Sequence, residues 1–216
     1  MLPVRQAPIE TPAKTTLTMI ATQPRTRYEE ARRAMIDSQL RTSGVNQPFV
    51  LARMAAVPRE DFVPEGQRGA AYSDRALRLP DGGVLPAPVF HGMLLAEARP
   101  GDDDRVLVVD GGSGYLAALV GPLVASVMSV SAADAAAGRV DADPTLVLVD
   151  GAIEHVPGAL AATLAEGTRI VTGLVERGVT RLATGRVTGG MLGLIALAET
   201  GAPRLGAFDR EASWSF

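Results

Sequence analysis

Two short runs built almost wholly from valine and leucine, Arg105–Val109 (RVLVV) and Thr145–Val149 (TLVLV), constrain this chain more than any other feature. Uninterrupted apolar runs of that length belong to strands buried on both faces, which occur where helices cover a parallel sheet from both sides. Between and after them, helical and strand patterns alternate. A helix is expected over Leu116–Leu123, a strand over Ala125–Ser131, a short Ala-rich helix next, then helical residues 158–166 and a strand over Thr168–Val175. Thr180–Val187 and Met191–Ala198 have the alternation of a closing antiparallel pair. This order specifies an α/β fold with a mostly parallel sheet.

Composition narrows what such a fold is for. The 216 residues carry 21 Lys+Arg against 24 Asp+Glu, a net charge of −3, which gives no basic footprint for nucleic acid. The absence of cysteine excludes a disulfide framework, a thiolate zinc site and a cysteine nucleophile. Aromatics make up only 4%, so the core is expected to be Ala, Val and Leu. Residues 111–133 are uncharged and long enough to span a bilayer, but Gly121–Pro122 interrupts them, so they read as loop, helix and strand of a buried core. Residues 1–27 are rich in Pro, Thr and Gln and have no apolar h-region, which reads as a loose arm without a signal peptide, with Met19 an alternative start to Met1. A cytoplasmic location is the expectation. Helices are expected over Tyr28–Leu40, Phe49–Ala56 and Val89–Ala98, with residues 57–88 lacking a strong period. That divides the chain into the arm, a helical subdomain over 28–100 and an α/β domain over 101–216.

In a parallel sheet of this kind, ligands sit at the carboxyl ends of the strands. The loop there is Asp110-Gly111-Gly112-Ser113-Gly114-Tyr115, whose glycines allow close approach to a ligand or simply the turn itself. It lacks the spacing of the dinucleotide fingerprint. Asp150 ends the second buried run, where it either faces a ligand or caps a following helix. Asp102–Asp104 reads as a solvated turn rather than a metal site. His91 and His155, far apart in sequence, read as packing or surface residues.

Four stretches occur in a distinctive order: Gln39-Leu-Arg with Gly44-Val45, Val57-Pro-Arg-Glu60 with Phe62-Val-Pro64, Ala71-Tyr-Ser-Asp74, and Gly112-Ser-Gly-Tyr115. Val149-Asp-Gly-Ala152, Pro157 and Ala165–Val171 continue the match. From about residue 28 onward the chain resembles the protein-L-isoaspartate (D-aspartate) O-methyltransferase family. The resemblance implies a seven-stranded methyltransferase fold, S-adenosylmethionine as cofactor and isoaspartyl-containing proteins or peptides as substrates. It also implies a cofactor site of Asp110, Gly111, Gly112, Ser113, Gly114, Ser131 and Asp150, and a structural role for Arg59 and Glu60 as a pair. A carboxylate acceptor is already ionised at neutral pH, so transfer rests on proximity and alignment and asks for no base.

The chain departs from the family pattern at four places. Val108 and Asp110 stand where an acid and a glycine are expected, and Asp110 either partly replaces that acid or orders the turn. Ser131 stands where an acid holds the cofactor ribose; losing such an acceptor costs about 1.5–3 kcal/mol. No Ser or Thr occurs from Asp74 through Gly112, so the hydroxyl that assists the substrate carboxylate, expected in the segment here read Val84–Pro88, is missing. Only about forty residues separate the first buried strand from Thr145, which predicts about six strands with one strand–helix unit missing. Two functions follow: an isoaspartyl methyltransferase, or a cofactor-free descendant acting as a binding or scaffolding protein. A nucleotide binder using the same loop is a weaker third, because no acid sits near the second strand's end. With the unit missing, residues 125–131 become an edge without Lys, Glu or Pro, expected to pair in a homodimer or to be covered by the arm.

Overall fold

A computed structural model describes residues 23–210. In chain order the elements are α1 (Gln23–Met35), α2 (Pro48–Ala56), β1 (Leu77–Arg78), β2 (Val84–Leu85) and α3 (Pro88–Ala98). Then follow β3 (Arg105–Asp110), α4 (Tyr115–Val120), β4 (Ser126–Ser131), α5 (Ala132–Ala136) and β5 (Leu146–Ile153). The chain continues through α6 (Gly158–Ala161), β6 (Arg169–Glu176), β7 (Val179–Thr188) and β8 (Met191–Glu199). Six strands form the main sheet in the order β4-β3-β5-β6-β7-β8. The pairs β3–β4, β3–β5 and β5–β6 are parallel, and β6–β7 and β7–β8 antiparallel. β4 stands at one end of the sheet. The link from it to β5 carries only the five-residue α5, which is the shortening the sequence predicts.

The valine–leucine runs divide the core between the two faces of the sheet. Val106 and Val108 of β3 and Leu146 and Leu148 of β5 pack with α2, α3 and α4 residues such as Val50, Leu94 and Leu116. Their neighbours Leu107, Val109, Val147 and Val149 pack with Ala135, Leu160, Leu205 and Phe208 on the opposite face. Period-two alternation with both sets buried is what an apolar run without polar positions requires.

Several boundaries differ from the sequence reading. The first helix starts at Gln23 rather than Tyr28, and Ile36–Leu40 continues it as a wider π-turn closed by Arg41 N–H to the Ile36 carbonyl. Residues 1–22, most of the expected arm, lie outside the described residues. Residues 57–88 contain two short 3₁₀ turns and the β1–β2 hairpin, whose two-residue strands are too short for any period to show. The helix after the glycine loop stops as α-helix at Val120, because Pro122 has no N–H to continue the ladder. Helix α6 covers only Gly158–Ala161 of the expected 158–166. β5 runs four residues past Val149, so Asp150 lies within a strand. The extension is held from afar. The Ala152 N–H donates to the Pro203 carbonyl (2.7 Å) and the Leu205 N–H to the Ala152 carbonyl (2.8 Å). A Cβ on Gly151 would stand 2.7 Å from Leu205 Cγ, so that approach needs a glycine.

Candidate active site

The glycine loop leaves β3 at the carboxyl edge of the sheet and is pinned at three points. Both oxygens of Asp110 accept from the Gly114 N–H (3.1 and 3.2 Å). The Gly111 carbonyl accepts from Val84 N–H at the start of β2 (2.8 Å). Ser113 Oγ donates to Asp150 Oδ2 (3.3 Å) and accepts from Tyr115 N–H (3.2 Å). Asp110 therefore orders the turn. The glycines also divide. A Cβ on Gly112 would sit 2.9 Å from Gly83 Cα, and one on Gly111 would sit 2.8 Å from the Asp150 carbonyl oxygen, so these two serve packing. Gly114 has φ +69° and open space where its Cβ would stand.

Asp150 caps no helix. It is fully buried, and His91 Nε2 lies 2.8 Å from its Oδ1. His91 in turn lies with Nδ1 3.2 Å from an Arg59 guanidinium nitrogen. Arginine can only donate, so Nδ1 accepts, the ring proton sits on Nε2, and His91 donates it to Asp150 as a neutral imidazole. Burial agrees with that assignment: it pulls the His91 pKa below the ordinary value against the pull of Asp150. Arg59 also donates to the Ala71 (2.7 Å) and Pro86 carbonyls and stacks over the Tyr115 ring at 4.9 Å. The guanidinium thus reaches the Asp150 carboxylate across one imidazole, and the line ends at Ser113.

Arg59 and Glu60 do not pair with each other, contrary to expectation. Glu60 faces the other way, accepting from Arg32 (3.1 Å) and from the Tyr72 hydroxyl, while Arg32 Nε donates to the same hydroxyl (2.7 Å). The side chains of two consecutive residues of a 3₁₀ turn thereby enter different polar clusters, which touch where the Arg59 N–H donates to the Tyr72 hydroxyl (3.3 Å). Sequence reasoning missed both His91 and the inward role of Arg59. The available signal was an imidazole among the buried positions 90, 91, 94, 95 and 98 of α3, whose other members are apolar.

At the outer side of the loop, Ser131 pairs in register with Asp110. Its hydroxyl accepts from Asp134 N–H (3.1 Å) and donates to Asp134 Oδ2 (2.7 Å), forming the N-cap of α5. Asp134 also binds Arg139 (2.8 Å). Of the aspartates before β3, Asp104 pairs with Arg169 (2.7 Å) and accepts from Thr145, while Asp102 and Asp103 are exposed.

A cleft of about 420 Å³ opens between Asp61–Pro64, Leu79–Asp81 and Ser113. Farther along the same edge, a basin of about 1120 Å³ lies between Glu154–Val156, the hairpin tip Glu176–Val179 and Arg204. His155 lines that basin, not the cleft. Among the described residues, no helix is long and apolar enough to cross a membrane.

The family model described as protein-L-isoaspartate(D-aspartate) O-methyltransferase matches residues 30–142, which hold the glycine loop, Arg59, His91 and Ser131. The chain belongs to this family. The protein-L-isoaspartate O-methyltransferase of Koribacter versatilis is 34% identical over 178 residues, 71% of this chain and 80% of that protein. That of Roseiflexus sp. (strain RS-1) is 40% identical over 112 residues, 52% of this chain and 51% of its own length. Among solved structures, a protein-L-isoaspartate O-methyltransferase from Plasmodium falciparum, in complex with S-adenosyl-L-homocysteine, superposes with a TM-score of 0.63. It is 16% identical, with 82% of this chain and 97% of that one covered, so the likeness is one of fold. This isoaspartyl methyltransferase family member therefore carries a six-stranded, Rossmann-like version of the methyltransferase sheet.

Proposed function

We propose that the chain transfers the methyl group of S-adenosylmethionine to isoaspartyl carboxylates of damaged proteins. The observation carrying this reading is the family match laid over a glycine loop at the carboxyl edge of the central strands, with a cleft opening at Ser113. When bound, the cofactor supplies an electrophilic sulfonium methyl, and an ionised acceptor needs only alignment against it. The residues fit such a group at one end. Open space stands over Gly114, and the partly exposed Asp110 carboxylate suits a cationic amino-acid moiety. Gly111, Gly112 and Ser113 shape the floor, with Asp150 buried behind them. The outer end fits less well, since the Ser131 hydroxyl is already held by Asp134 and brings no charge of its own. The affinity expected is therefore weaker, by ten- to hundredfold, than a carboxylate at Ser131 would give.

One observation favours a second reading, a cofactor-free binding protein. Asp110, Ser131 and Asp150, the polar side chains expected to meet the cofactor, each have a partner within the chain. Calorimetry with S-adenosylhomocysteine separates the two. Binding tighter than about 100 μM, with methyl transfer to an isoaspartyl but not an aspartyl peptide, supports the enzyme. Absence of heat at about 1 mM ligand leaves the binding protein.

Two further expectations belong to this reading: a cytoplasmic location, and a homodimer through β4. The dimer is supported by the position of β4 at the end of the sheet and by the exposure of Ser126, Met128, Ser129 and Ser131. Light scattering on the full chain and on one beginning at Thr26 tests it. Monomers in both would reject it.

A further inference from the structure

Asp150 is an expensive way to hold a serine. A buried carboxylate loses its hydration, and an apolar residue of similar volume is often no less stable. Here the charge is kept and balanced at a distance. Arg59 lies in the 3₁₀ turn after Val57–Pro58, His91 in α3, Asp150 in β5 and Ser113 in the glycine loop, so four separate segments meet in one line. Arg59, His91 and Asp150 are fully buried, and Ser113 alone reaches the cleft.

We infer that Asp150, His91 and Arg59 are positioning residues for the cofactor loop, acting through Ser113, an inference that rests on the methyltransferase reading above. The geometry divides the work between neighbouring strands. Asp110 at the end of β3 fixes Gly114, and Asp150 in β5 fixes Ser113, so the loop's two outer residues are held from both sides. Its two oxygens share the work as acceptors, Oδ1 toward His91 and Oδ2 toward Ser113. A neutral imidazole between Asp150 and Arg59 lets the guanidinium offset the carboxylate charge without reaching the loop. Removing any member frees Ser113 to turn, and the loop then has to be ordered by the ligand, which weakens binding.

The test reads S-adenosylhomocysteine affinity by calorimetry, well below each variant's unfolding temperature, beside amide hydrogen exchange over residues 111–115. Ser113→Ala breaks the last link together with the acceptor of the Tyr115 N–H and is expected to weaken binding about tenfold. Asp150→Asn is expected to weaken it at least tenfold, with faster exchange in the loop. His91→Gln keeps a donor toward Asp150 and is expected to bind more tightly than His91→Phe. Thr168→Val, which removes a buried hydrogen bond to the Pro144 carbonyl just before the amino end of β6, controls for stability and is expected to stay within twofold. If Thr168→Val weakens binding as much as Asp150→Asn, or if loop exchange is unchanged in Asp150→Asn, the inference is overturned. Should the wild-type chain take no S-adenosylhomocysteine, the methyltransferase reading fails. The exchange comparison still decides the positioning role.

Discussion

The two strands that flank β3 end very differently beside the same loop. Asp150 on the β5 side is buried and joined to residues 59 and 37 positions away in sequence. Ser131 on the β4 side is exposed and joined to Asp134, three positions on, with Arg139 closing the group. The inner flank is a tertiary structure in miniature; the outer flank is a helix cap. The inner contacts exist only when the whole fold is assembled, whereas the outer ones survive as long as one short helix does. The site has therefore kept its inner wall, while the wall that would face a missing neighbour strand has been reduced to local structure.

The sharpest way to break this contrast is to strand the inner charge. Arg59→Met removes the guanidinium, leaves Asp150 uncompensated, and opens the Ala71 and Pro86 carbonyls. A loss of about 3–5 kcal/mol is expected in urea unfolding. The double variant Arg59→Met/Asp150→Asn is expected to be more stable than the sum of the single losses allows, because the second change removes the orphaned charge. Strict additivity would show that the two groups are not coupled through His91.

Glycine substitutions ask the same question of the loop. Gly112→Ala puts a methyl group 2.9 Å from Gly83 Cα at φ +104°, so backbone must move as well as strain. Gly114→Ala meets nothing and carries only the left-handed penalty, about 1–2 kcal/mol. The expected order in thermal unfolding is therefore Gly112→Ala well below Gly114→Ala, and equal losses would mean that the contact with the 79–84 loop is dispensable.

What was legible in the sequence follows the same division. The strands β3 and β5 were visible because valine–leucine runs have few other uses, and Ser131 followed by Asp134 reads as a helix start from local chemistry alone. The missing strand–helix unit could be counted. The end of β5 could not be read. Asp150-Gly151 looks like the loop after a strand, and only distant segments, Gly173 and Leu174 of β6 and Pro203–Leu205, supply the pairing that carries the strand through it. The resemblance made Arg59 and Glu60 a structural pair of the helical subdomain, but adjacent side chains project differently, and each found a partner far along the chain. His91 looked idle because its partners were 32 positions before and 59 positions after it.

The inner flank also predicts a pH dependence. Burial lowers the His91 pKa in the folded chain below its ordinary value of about 6.5, while Asp150 opposes the shift and Arg59 reinforces it. The unfolded chain therefore takes up this proton first as pH falls. Stability from the neutral imidazole is fully present above about pH 6.5. It declines below that toward the lowered folded pKa, with a slope of at most about 1.4 kcal/mol per pH unit. Asp104 contributes a separate loss at lower pH. Burial raises it, but the Gly101 N–H, the Thr145 hydroxyl and Arg169 together bring it below the usual carboxylate value. In His91→Gln the decline between about pH 6.5 and 5 is expected to flatten, relative to the wild-type curve, in denaturant titrations. An unchanged slope would assign the decline to other groups.

The smallest effect is expected at the outer flank. Ser131→Ala removes the cap of α5, leaving the Asp134 N–H without its acceptor and Asp134 Oδ2 without its donor. The helix is exposed at this end, so water replaces both, and a loss of about 1 kcal/mol is expected. Because α5 packs on β3, β4 and α6, the loss is expected to appear as faster exchange across Ala132–Ala136 before it appears in the melting temperature. Ser131→Asp keeps a capping oxygen but sets a second carboxylate beside Asp134, so it is expected to be no more stable than wild type. It also places at the end of β4 the acid that the resemblance assigns to the ribose. If this variant binds S-adenosylhomocysteine tenfold more tightly than wild type, the outer wall lacks only that charge. If affinity is unchanged, then shortening the sheet beyond β4, rather than the loss of one acid, sets the limit on binding.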